Sequence, residues 1–216
     1  MNQQSSNPFT KIYESHEWQG ESLSGPGSDG ERTVEFRRYL AKLLVERKIR
    51  KVVDFGCGDW SYSKLVDWSG IDYLGVDVVP SVIERNQKRF GQENINFTCM
   101  EPSQQELPDA DLFLSKEVLQ HLPSATVLEV LGAAKAFKYA LLVNDTAHQV
   151  RGDWRKFWRW DDVCETNVDI PVGSYRLLSL RDPPFSLKAK QVLIYENVYE
   201  GMRWTKEVLL YERDVA

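Results

Sequence analysis

Five short apolar segments, each separated from the next by a stretch that suits a helix, constrain the fold of this chain most. They lie at residues 49–55, 72–78, 95–100, 110–115 and 139–144. Nearly continuous apolar runs of this length are typical of parallel strands that helices cover on both faces. The alternation therefore predicts an α/β, doubly wound fold with a mainly parallel sheet.

The helices between these segments have recognisable ends. Pro80 suits the first turn of a helix that runs to Phe90, and Ser124 can cap a helix that runs to about Phe137. A short helix is expected at Ser61–Trp68. The first thirty residues, which are polar and rich in glycine and serine, predict an extended or loop segment. After it, Ser28 or Asp29 can cap a helix whose apolar face has four members: Phe36, Leu40, Leu43 and Leu44.

The last third of the sequence follows a different pattern. Residues 145–173 are expected to be irregular, whereas 174–180, 191–198 and 206–214 resemble strands with little helix between them. The last two predict an antiparallel pair at the edge of the sheet. Together with the five predicted parallel strands, this pair gives a seven-stranded sheet that ends in a C-terminal antiparallel hairpin.

Composition and charge narrow the class of protein. The chain has 216 residues, of which 42% are hydrophobic and 27% charged, which suits one domain over 1–216. The net charge of −5 disfavours nucleic acid and anionic membranes as partners. No apolar run approaches the roughly 20 residues of a membrane span. Three cysteines without the spacing of disulfide or zinc frameworks favour a reducing, cytoplasmic setting.

A glycine turn after the first predicted strand indicates where a ligand binds. Gly56 and Gly58 allow the backbone to approach a ligand without an intervening Cβ. The second strand ends at Asp77, where a carboxylate can accept hydrogen bonds from both hydroxyls of a ribose, and the third ends near Glu101. Two acids disfavour a phosphate-rich ligand, and no P-loop motif is present. We therefore expect a nucleoside without phosphates.

These residues resemble the motifs of the class I S-adenosylmethionine-dependent methyltransferases, which have a Rossmann-like fold. The resemblance covers roughly residues 49–145 and includes the segment 110–122, which is similar to that family's fourth strand and following helix. It implies that the glycines line the methionine part of S-adenosyl-L-methionine, that Asp77 holds the ribose and that Glu101 lies near the adenine amino group. Trp60 stands where the family has a third glycine. The flanking segments resemble a little-described bacterial subfamily.

The resemblance implies a set of cofactor-binding residues at the strand ends, and S-adenosyl-L-homocysteine as the product. The set comprises Asp54, Gly56, Cys57, Gly58, Trp60, Asp77, Val78, Glu101, Ser115 and Lys116.

Methyl transfer from a sulfonium requires alignment of the acceptor, and a base where the acceptor must lose a proton. Three residues are candidates for that base. His121 follows the fourth strand and equally suits a buried helical turn. Asp145 ends the fifth strand and equally suits an Asx turn that leaves it. His148 follows three residues later. The sequence does not rank these three.

Residues 145–185 are expected to form a lid on the substrate side, and residues 1–33 an N-terminal cap. A locally basic and aromatic stretch at 151–160 favours an anionic substrate, or alternatively is a helix that packs its aromatic face on the core. Arg176 can pair with a carboxylate, or be an exposed charge on a strand. The candidate substrate-binding residues are His16, Trp18, Trp154, Trp158 and Arg176.

The sequence thus predicts a methyltransferase acting at oxygen or nitrogen of a small molecule or saccharide, as a monomer or homodimer, without a metal. The segment Ser115–Val118 does not match the motif of the amino-methylating DNA enzymes, and no cysteine follows a proline as in cytosine C5 chemistry. Three alternatives stay open. One is a binding protein that keeps the cofactor pocket without methyl transfer, the second a nucleic-acid methyltransferase, and the third an enzyme that uses the same cofactor for other chemistry.

Overall fold

The computed structural model describes residues 7–18, 20–100, 107–150, 166–199 and 201–213. For 148–150 it describes the backbone. The four α-helices of this part are α1 (Pro8–Ser15), α2 (Val34–Glu46), α3 (Pro80–Phe90) and α4 (Ser124–Ala134). The seven strands are β1 (Lys51–Phe55), β2 (Asp72–Asp77), β3 (Ile95–Cys99), β4 (Leu112–Lys116), β5 (Tyr139–Val150), β6 (Lys190–Tyr199) and β7 (Met202–Glu212).

The strands form one sheet in the order β3-β2-β1-β4-β5-β7-β6. The pairs β1/β2, β2/β3 and β4/β5 are parallel, and β7 runs antiparallel to both β5 and β6. The predicted α/β fold, with a mainly parallel seven-stranded sheet and a C-terminal antiparallel hairpin, is confirmed. At the carboxyl ends of its parallel strands such a sheet leaves a crevice where ligands bind.

Contacts divide the chain into two compact units, Met1–Pro108 and Asp109–Ala216. In the first, β1 is buried over four of its five residues, and α2 buries the four residues predicted for its apolar face: Phe36, Leu40, Leu43 and Leu44. In the second, all five residues of β4 are buried. A single domain over 1–216 stays a prediction.

Several elements differ from the expectation. Helix α1 lies in the N-terminal segment that was expected to be a loop, because the Asn7 side chain accepts from Phe9 N at 3.0 Å and Pro8 suits a first turn. A 3₁₀ turn, Ser63–Leu65, replaces the helix expected at 61–68, since Trp60 has a φ of 61°. Helix α2 begins at Val34, so neither Ser28 nor Asp29 caps it.

The second unit also departs from two expectations. Residues 145–150 continue β5 instead of forming irregular structure. Residues 174–180 do not form a strand, because their backbone groups bond to separate elements. Arg176 N donates to Gln120 O at 3.2 Å, and Leu178 N donates to Asp145 O at 2.8 Å. Because each of these backbone bonds goes to a different part of the chain, the segment does not pair with a neighbouring strand.

Candidate functional site

The glycine turn of the first unit holds the carboxylate that ends β2. Asp77 is buried, and its two oxygens accept from Gly58 N and Val79 N at 3.1 Å each. Gly56 and Gly58 have φ values of 74° and 55°, which glycine adopts without strain. Asn86 of α3 fixes the other side of the turn, because its Nδ2 donates to Gly58 O at 2.7 Å.

Burial shifts the titration of this carboxylate. It raises the pKa of Asp77 to about 6, against the opposing effect of the backbone N–H groups of Val79 and Gly58. Each carboxylate oxygen can accept more than one hydrogen bond. The donor set therefore fits a ribose, because Asp77 can accept from hydroxyl groups while it keeps its two backbone bonds.

The N-terminal segment lies directly on the glycine turn. A Cβ added to Gly58 would lie 2.2 Å from Ser24 Oγ and 3.1 Å from the Tyr13 hydroxyl oxygen. These two hydroxyls are 2.8 Å apart. The space beside Gly58 was expected to admit a ligand, and at this point the chain's own Ser24 occupies it.

Asp59 anchors this segment. Its carboxylate accepts from Leu23 N at 2.8 Å, from Ser22 Oγ at 2.9 Å and from Ser61 Oγ at 2.7 Å, and its own N–H donates to Ser24 Oγ at 2.8 Å. Asp29 accepts from Ser22 N at 2.9 Å. Two acids thus hold a Ser/Gly-rich segment that has little apolar surface of its own.

Three other predicted cofactor residues, in the turn or in β1 just before it, direct their side chains into the core. The Trp60 indole packs among Tyr73, Phe90 and Phe97, with ring centroids 4.9 to 5.6 Å away. Asp54 Oδ2 accepts from the Tyr73 hydroxyl at 2.5 Å. Cys57 is buried, and burial raises the pKa of its thiol well above the usual range. Any contact of these three residues with the cofactor stays a prediction. The backbone of Cys57 and Trp60 belongs to the turn, and that of Asp54 to β1.

Of the predicted substrate and cofactor residues near the cap, Trp18 and Val78 pack against the buried side chains of Tyr13, Val79 and Val82. His16 is exposed and ends α1 with a φ of 52°. Trp18 thus belongs to the packing that holds the cap.

In the second unit, four charged residues meet where β4, β5 and β7 lie side by side. We call Lys116, Glu117, Asp145 and Lys206 the four-charge cluster. Lys206 Nζ contacts Glu117 Oε1, and Asp145 Oδ1 at 2.6 Å, while Lys116 Nζ contacts Glu117 Oε2. All four side chains are at most 11% exposed. Glu117 follows β4 directly and has a φ of 57°, which is unusual for a residue with a side chain.

Further polar groups hold Asp145. Gln120 Nε2 donates to Asp145 Oδ2 at 3.0 Å, and Asp145 N donates to Gln120 Oε1 at 2.8 Å. The Tyr175 hydroxyl donates to the same Oδ2 at 3.3 Å. Burial raises the pKa of Asp145 to about 6, although Gln120, Lys116 and Tyr175 oppose the shift. Burial, together with Lys116, lowers the pKa of Lys206 well below its usual range.

The other predicted site residues of this unit that the structure describes differ in their surroundings. His121 Nδ1 donates to Ser174 O at 2.9 Å, and burial lowers the pKa of its imidazole, which makes the ring a weaker proton acceptor. His148 lies in β5, where its backbone is opposite Trp204. Ser115 is buried, and no described residue bonds to its hydroxyl.

Arg176 is buried and bound by its own chain, so the exposed strand position is not found. Its contact with substrate stays a prediction. Its guanidinium donates to Val168 O at 2.6 Å, to Leu122 O at 2.7 Å and to Ser124 Oγ at 2.8 Å. These bonds join three segments of the second unit. Glu101, Trp154 and Trp158 lie outside the described residues.

Sequence reasoning missed functional candidates in both units. Asp59 and Ser24 gave no separate signal, because their pairing spans distant parts of the chain. Glu117 adjoins a predicted cofactor residue, Lys116, but was not itself among the predicted site residues. Lys206 was interpreted as an ordinary strand residue, although a lysine directly before Glu-Val-Leu-Leu in a strand to be buried was a usable sign.

Within the described part of the chain, no three metal-binding side chains come together in a way that could hold an ion. Nor does any described helix have the length and apolar character needed to cross a membrane.

Residues 53–136 match the family of methyltransferase domains. This stretch of the chain is a methyltransferase domain. It begins inside β1, contains the glycine turn and Asp77, and ends just after α4. The resemblance to the class I S-adenosylmethionine-dependent methyltransferases is thereby confirmed for the family and the fold.

One curated relative shares 31% identity over 72 residues, namely malonyl-[acyl-carrier protein] O-methyltransferase of Acetivibrio thermocellus. The match covers 32% of this chain and 25% of that protein. The aligned part thus spans a quarter of the relative's length.

Solved structures show the same fold at low identity. Magnesium protoporphyrin IX methyltransferase from Synechocystis PCC 6803 with bound S-adenosylmethionine has a TM-score of 0.56 at 13% identity, over 99% of this chain and 93% of that one. TehB from Haemophilus influenzae has a TM-score of 0.56 at 16% identity, over 83% and 62%. The N-methyltransferase NodS from Bradyrhizobium japonicum WM9 has a TM-score of 0.55 at 11% identity, over 84% and 98%.

Proposed function

We propose that this protein transfers a methyl group from S-adenosyl-L-methionine to an oxygen or nitrogen of a small molecule or saccharide. One observation carries the proposal: Asp77 ends β2 as a buried carboxylate that the Gly58 N–H holds in place, inside a methyltransferase domain. A carboxylate at this strand end suits the hydroxyls of a ribose. When bound, the cofactor supplies a methyl group on a positively charged sulfur, and that sulfur keeps the electron pair of the broken bond.

The residues proposed to hold the cofactor belong to the glycine turn and the strand ends. Asp77 accepts from the ribose hydroxyls, Gly56 and Gly58 provide backbone at the turn, and Glu101 stays the proposed partner of the adenine amino group. Tyr13 and Ser24, which cover Gly58, exclude water from the turn. On the substrate side, His121, Asp145 and His148 remain the proposed candidates for proton acceptance.

Transfer to oxygen or nitrogen is supported by the relatives' own activities. The curated relative is an O-methyltransferase, and NodS is an N-methyltransferase. Residues 145–185 remain the proposed substrate side, and the basic stretch at 151–160 favours an anionic acceptor. We further propose that the protein works in the cytoplasm, as a monomer or homodimer.

Calorimetric titration with S-adenosyl-L-methionine and S-adenosyl-L-homocysteine tests the proposal. Asp77→Asn is expected to weaken both affinities about tenfold or more, because a hydrogen bond to a charged group contributes about 1.5–3 kcal/mol. The matched control is Asp72→Asn, at the exposed start of the same strand. Equal affinity in Asp77→Asn and wild type overturns the proposal.

A second candidate function, binding without methyl transfer, is favoured by one observation: Ser24 and Tyr13 fill the space beside Gly58. Thermal-shift measurements with S-adenosyl-L-methionine, S-adenosyl-L-homocysteine and adenosine separate the two. A rise in Tm with the two sulfur-containing ligands supports the methyltransferase. No shift with any of the three means that Ser24 and Tyr13 close the cofactor site, and this outcome supports binding of another partner without methyl transfer.

A further inference from the structure

We propose that the four-charge cluster receives the proton which the methyl acceptor releases, with Asp145 as the accepting group, Tyr175 as the relay and Lys206 as a positioning residue. This inference rests on the proposed function. It assigns a route for the proton, and roles for Tyr175 and Lys206, that the sequence did not indicate.

The cluster is built from three strands and holds Asp145 from both sides. Asp145 and Lys206 are register partners in β5 and β7, and Lys206 Nζ contacts Asp145 Oδ1 at 2.6 Å. The register shifts immediately after this pair, between Asp145 and Ala147. A β-bulge of this kind re-aims side chains and is common beside active sites.

Glu117 completes the arrangement from β4. Its carboxylate bridges the two lysines, because Oε1 contacts Lys206 and Oε2 contacts Lys116. Its backbone has a φ of 57°, and its N–H donates to Val143 O at 2.7 Å. Residues with a side chain are uncommon in the left-handed region, and backbone of this kind is enriched at functional sites.

Stability alone is a poor reason for such a cluster. Two lysines and two carboxylates lie almost out of water, and their desolvation offsets much of their attraction. Replacement of a buried ion cluster by apolar residues of similar volume is often neutral or stabilising. A group that takes and returns a proton, by contrast, needs burial and a fixed partner.

Tyr175 connects the cluster to the surface. Its hydroxyl donates to Asp145 Oδ2 at 3.3 Å, and the residue is 37% exposed. Gln120 and Lys206, the other groups that contact the Asp145 side chain in the described part of the chain, are each 3% exposed. Trp204 and His121 flank the Tyr175 ring at centroid distances of 5.6 and 5.7 Å, so they fix its orientation.

With the cofactor bound, the acceptor's oxygen or nitrogen would form its bond to the methyl carbon as the carbon–sulfur bond breaks with its electron pair left on sulfur. The acceptor would release its own proton to the Tyr175 oxygen. Tyr175 simultaneously passes its hydroxyl proton to Asp145 Oδ2, so the tyrosine stays neutral. Asp145 becomes a neutral carboxylic acid, and Lys206 remains on Oδ1. Solvent later removes the proton by the same route.

The groups that face Asp145 decide its titration. They are Lys116 and Glu117 at the end of β4, Gln120 in the turn after it, Tyr175, and Lys206 on β7. Burial raises the pKa of Asp145 to about 6, so the carboxylate is ionised at neutral pH yet readily protonated. Lys206 Nζ lies 2.6 Å from Asp145 Oδ1, so we expect removal of this ammonium group to raise the pKa of Asp145 further.

The first test follows the Asp145 carboxyl directly, by ¹³C NMR of the protein labelled at aspartate, with Asp145→Asn to assign the signal. We expect titration between about pH 5 and 7 in the wild type and an upward shift of about one pKa unit or more in Lys206→Met. The control, Glu207→Gln, removes the neighbouring buried charge of β7, which pairs with Arg181, and is expected to leave the signal in place. The inference is overturned if Asp145 titrates near pH 4 in the wild type, or if its pKa is the same in Lys206→Met and wild type.

The second test measures S-adenosyl-L-homocysteine release with a panel of hydroxyl- and amine-bearing small molecules and saccharides. For any acceptor that the wild type methylates, Tyr175→Phe and Asp145→Asn are expected to lower kcat by about 10²-fold or more with unchanged cofactor affinity. Tyr175 is partly exposed, so Tyr175→Phe carries the test if Asp145→Asn does not fold. Wild-type kcat in Tyr175→Phe overturns the relay.

Failure of this inference differs from failure of the proposed function. If Asp77→Asn still binds S-adenosyl-L-methionine as the wild type does, the proposed function fails, whatever Asp145 does. If Asp77→Asn no longer binds the cofactor, but the pKa of Asp145 is the same in Lys206→Met and wild type, the proposed function stands. In that case only the role of the four-charge cluster in proton transfer is overturned.

Discussion

The glycine turn of the first unit is built largely from backbone groups, whereas the four-charge cluster of the second unit is built from side chains. At the turn, a lone carboxylate, Asp77, is held by N–H groups of Gly58 and Val79. At the cluster, Asp145 is held by a lysine, a glutamine and a tyrosine. A backbone site depends on which residues permit the chain conformation, and a side-chain site depends on which partners remain in place.

The largest effect on stability is expected from a substitution that disrupts the backbone of the glycine turn. Gly58→Ala should lower the free energy of unfolding by about 3 kcal/mol or more, because the residue has a φ of 55° and its Cβ would lie 2.2 Å from Ser24 Oγ. Urea denaturation measures the change. Gly132→Ala is the control, since nothing lies within 4 Å of an added Cβ in α4, and it should stabilise the chain by about 0.5–1 kcal/mol.

If Gly58→Ala were as stable as Gly132→Ala, the contact of the N-terminal segment with the turn would not exist in solution. The turn would then be open beside Gly58.

A somewhat smaller effect is expected from a side-chain anchor of the second unit. Arg176→Met should lower the free energy of unfolding by about 2–3 kcal/mol, because three oxygens would lose a charged donor. Arg203→Met is the control, since Arg203 pairs with the half-exposed Glu196 on β6, and it should change stability by less than about 1 kcal/mol.

The same variant of Arg176 also distinguishes a structural role from a role in the proton transfer. A structural role predicts that Arg176→Met changes Tm and leaves the NMR titration of Asp145 where it is. A shift of that titration would join Arg176 to the four-charge cluster.

The difference between the two regions also explains what the sequence could predict. The strands, Gly58 and Asp77 were predicted because each depends on local signals, namely apolar runs, a glycine pair and an acid at a strand end. The contacts of Ser24 with Asp59 span 35 residues, and those of Glu117 with Lys206 span 89. Such pairs depend on tertiary packing, which no local pattern carries.

Where local patterns misled, tertiary bonds also decided the outcome. Residues 174–180 resemble a strand in sequence, yet Arg176 and Leu178 bond to the turn after β4 and to β5. Trp60 lies in the cofactor motif, yet its ring is large and apolar enough that packing against Tyr73, Phe90 and Phe97 takes precedence.

The smallest expected effect is on the pH dependence of the free energy of unfolding. It distinguishes Asp77, a lone carboxylate, from Asp145, which lies in an ion cluster. The pKa of Asp77 is raised to about 6 in the folded chain, against about 3.9 in an unfolded one. The folded state therefore binds the proton more tightly, so this contribution to stability is complete below about pH 4 and is lost as pH rises through 6. Between pH 4 and 7 the loss from Asp77 alone is about 2 kcal/mol.

Asp77→Asn removes this carboxyl group, so its unfolding free energy should fall less steeply between pH 4 and 7 than that of the wild type. Asp72→Asn, at an exposed position, should retain the wild-type slope. Lys206→Met should steepen the slope, because an Asp145 deprived of its lysine becomes a second lone carboxylate. Parallel curves for Asp77→Asn and wild type would mean that backbone N–H groups stabilise the Asp77 charge as fully as water does, and the two regions would then not differ in how they hold an acid.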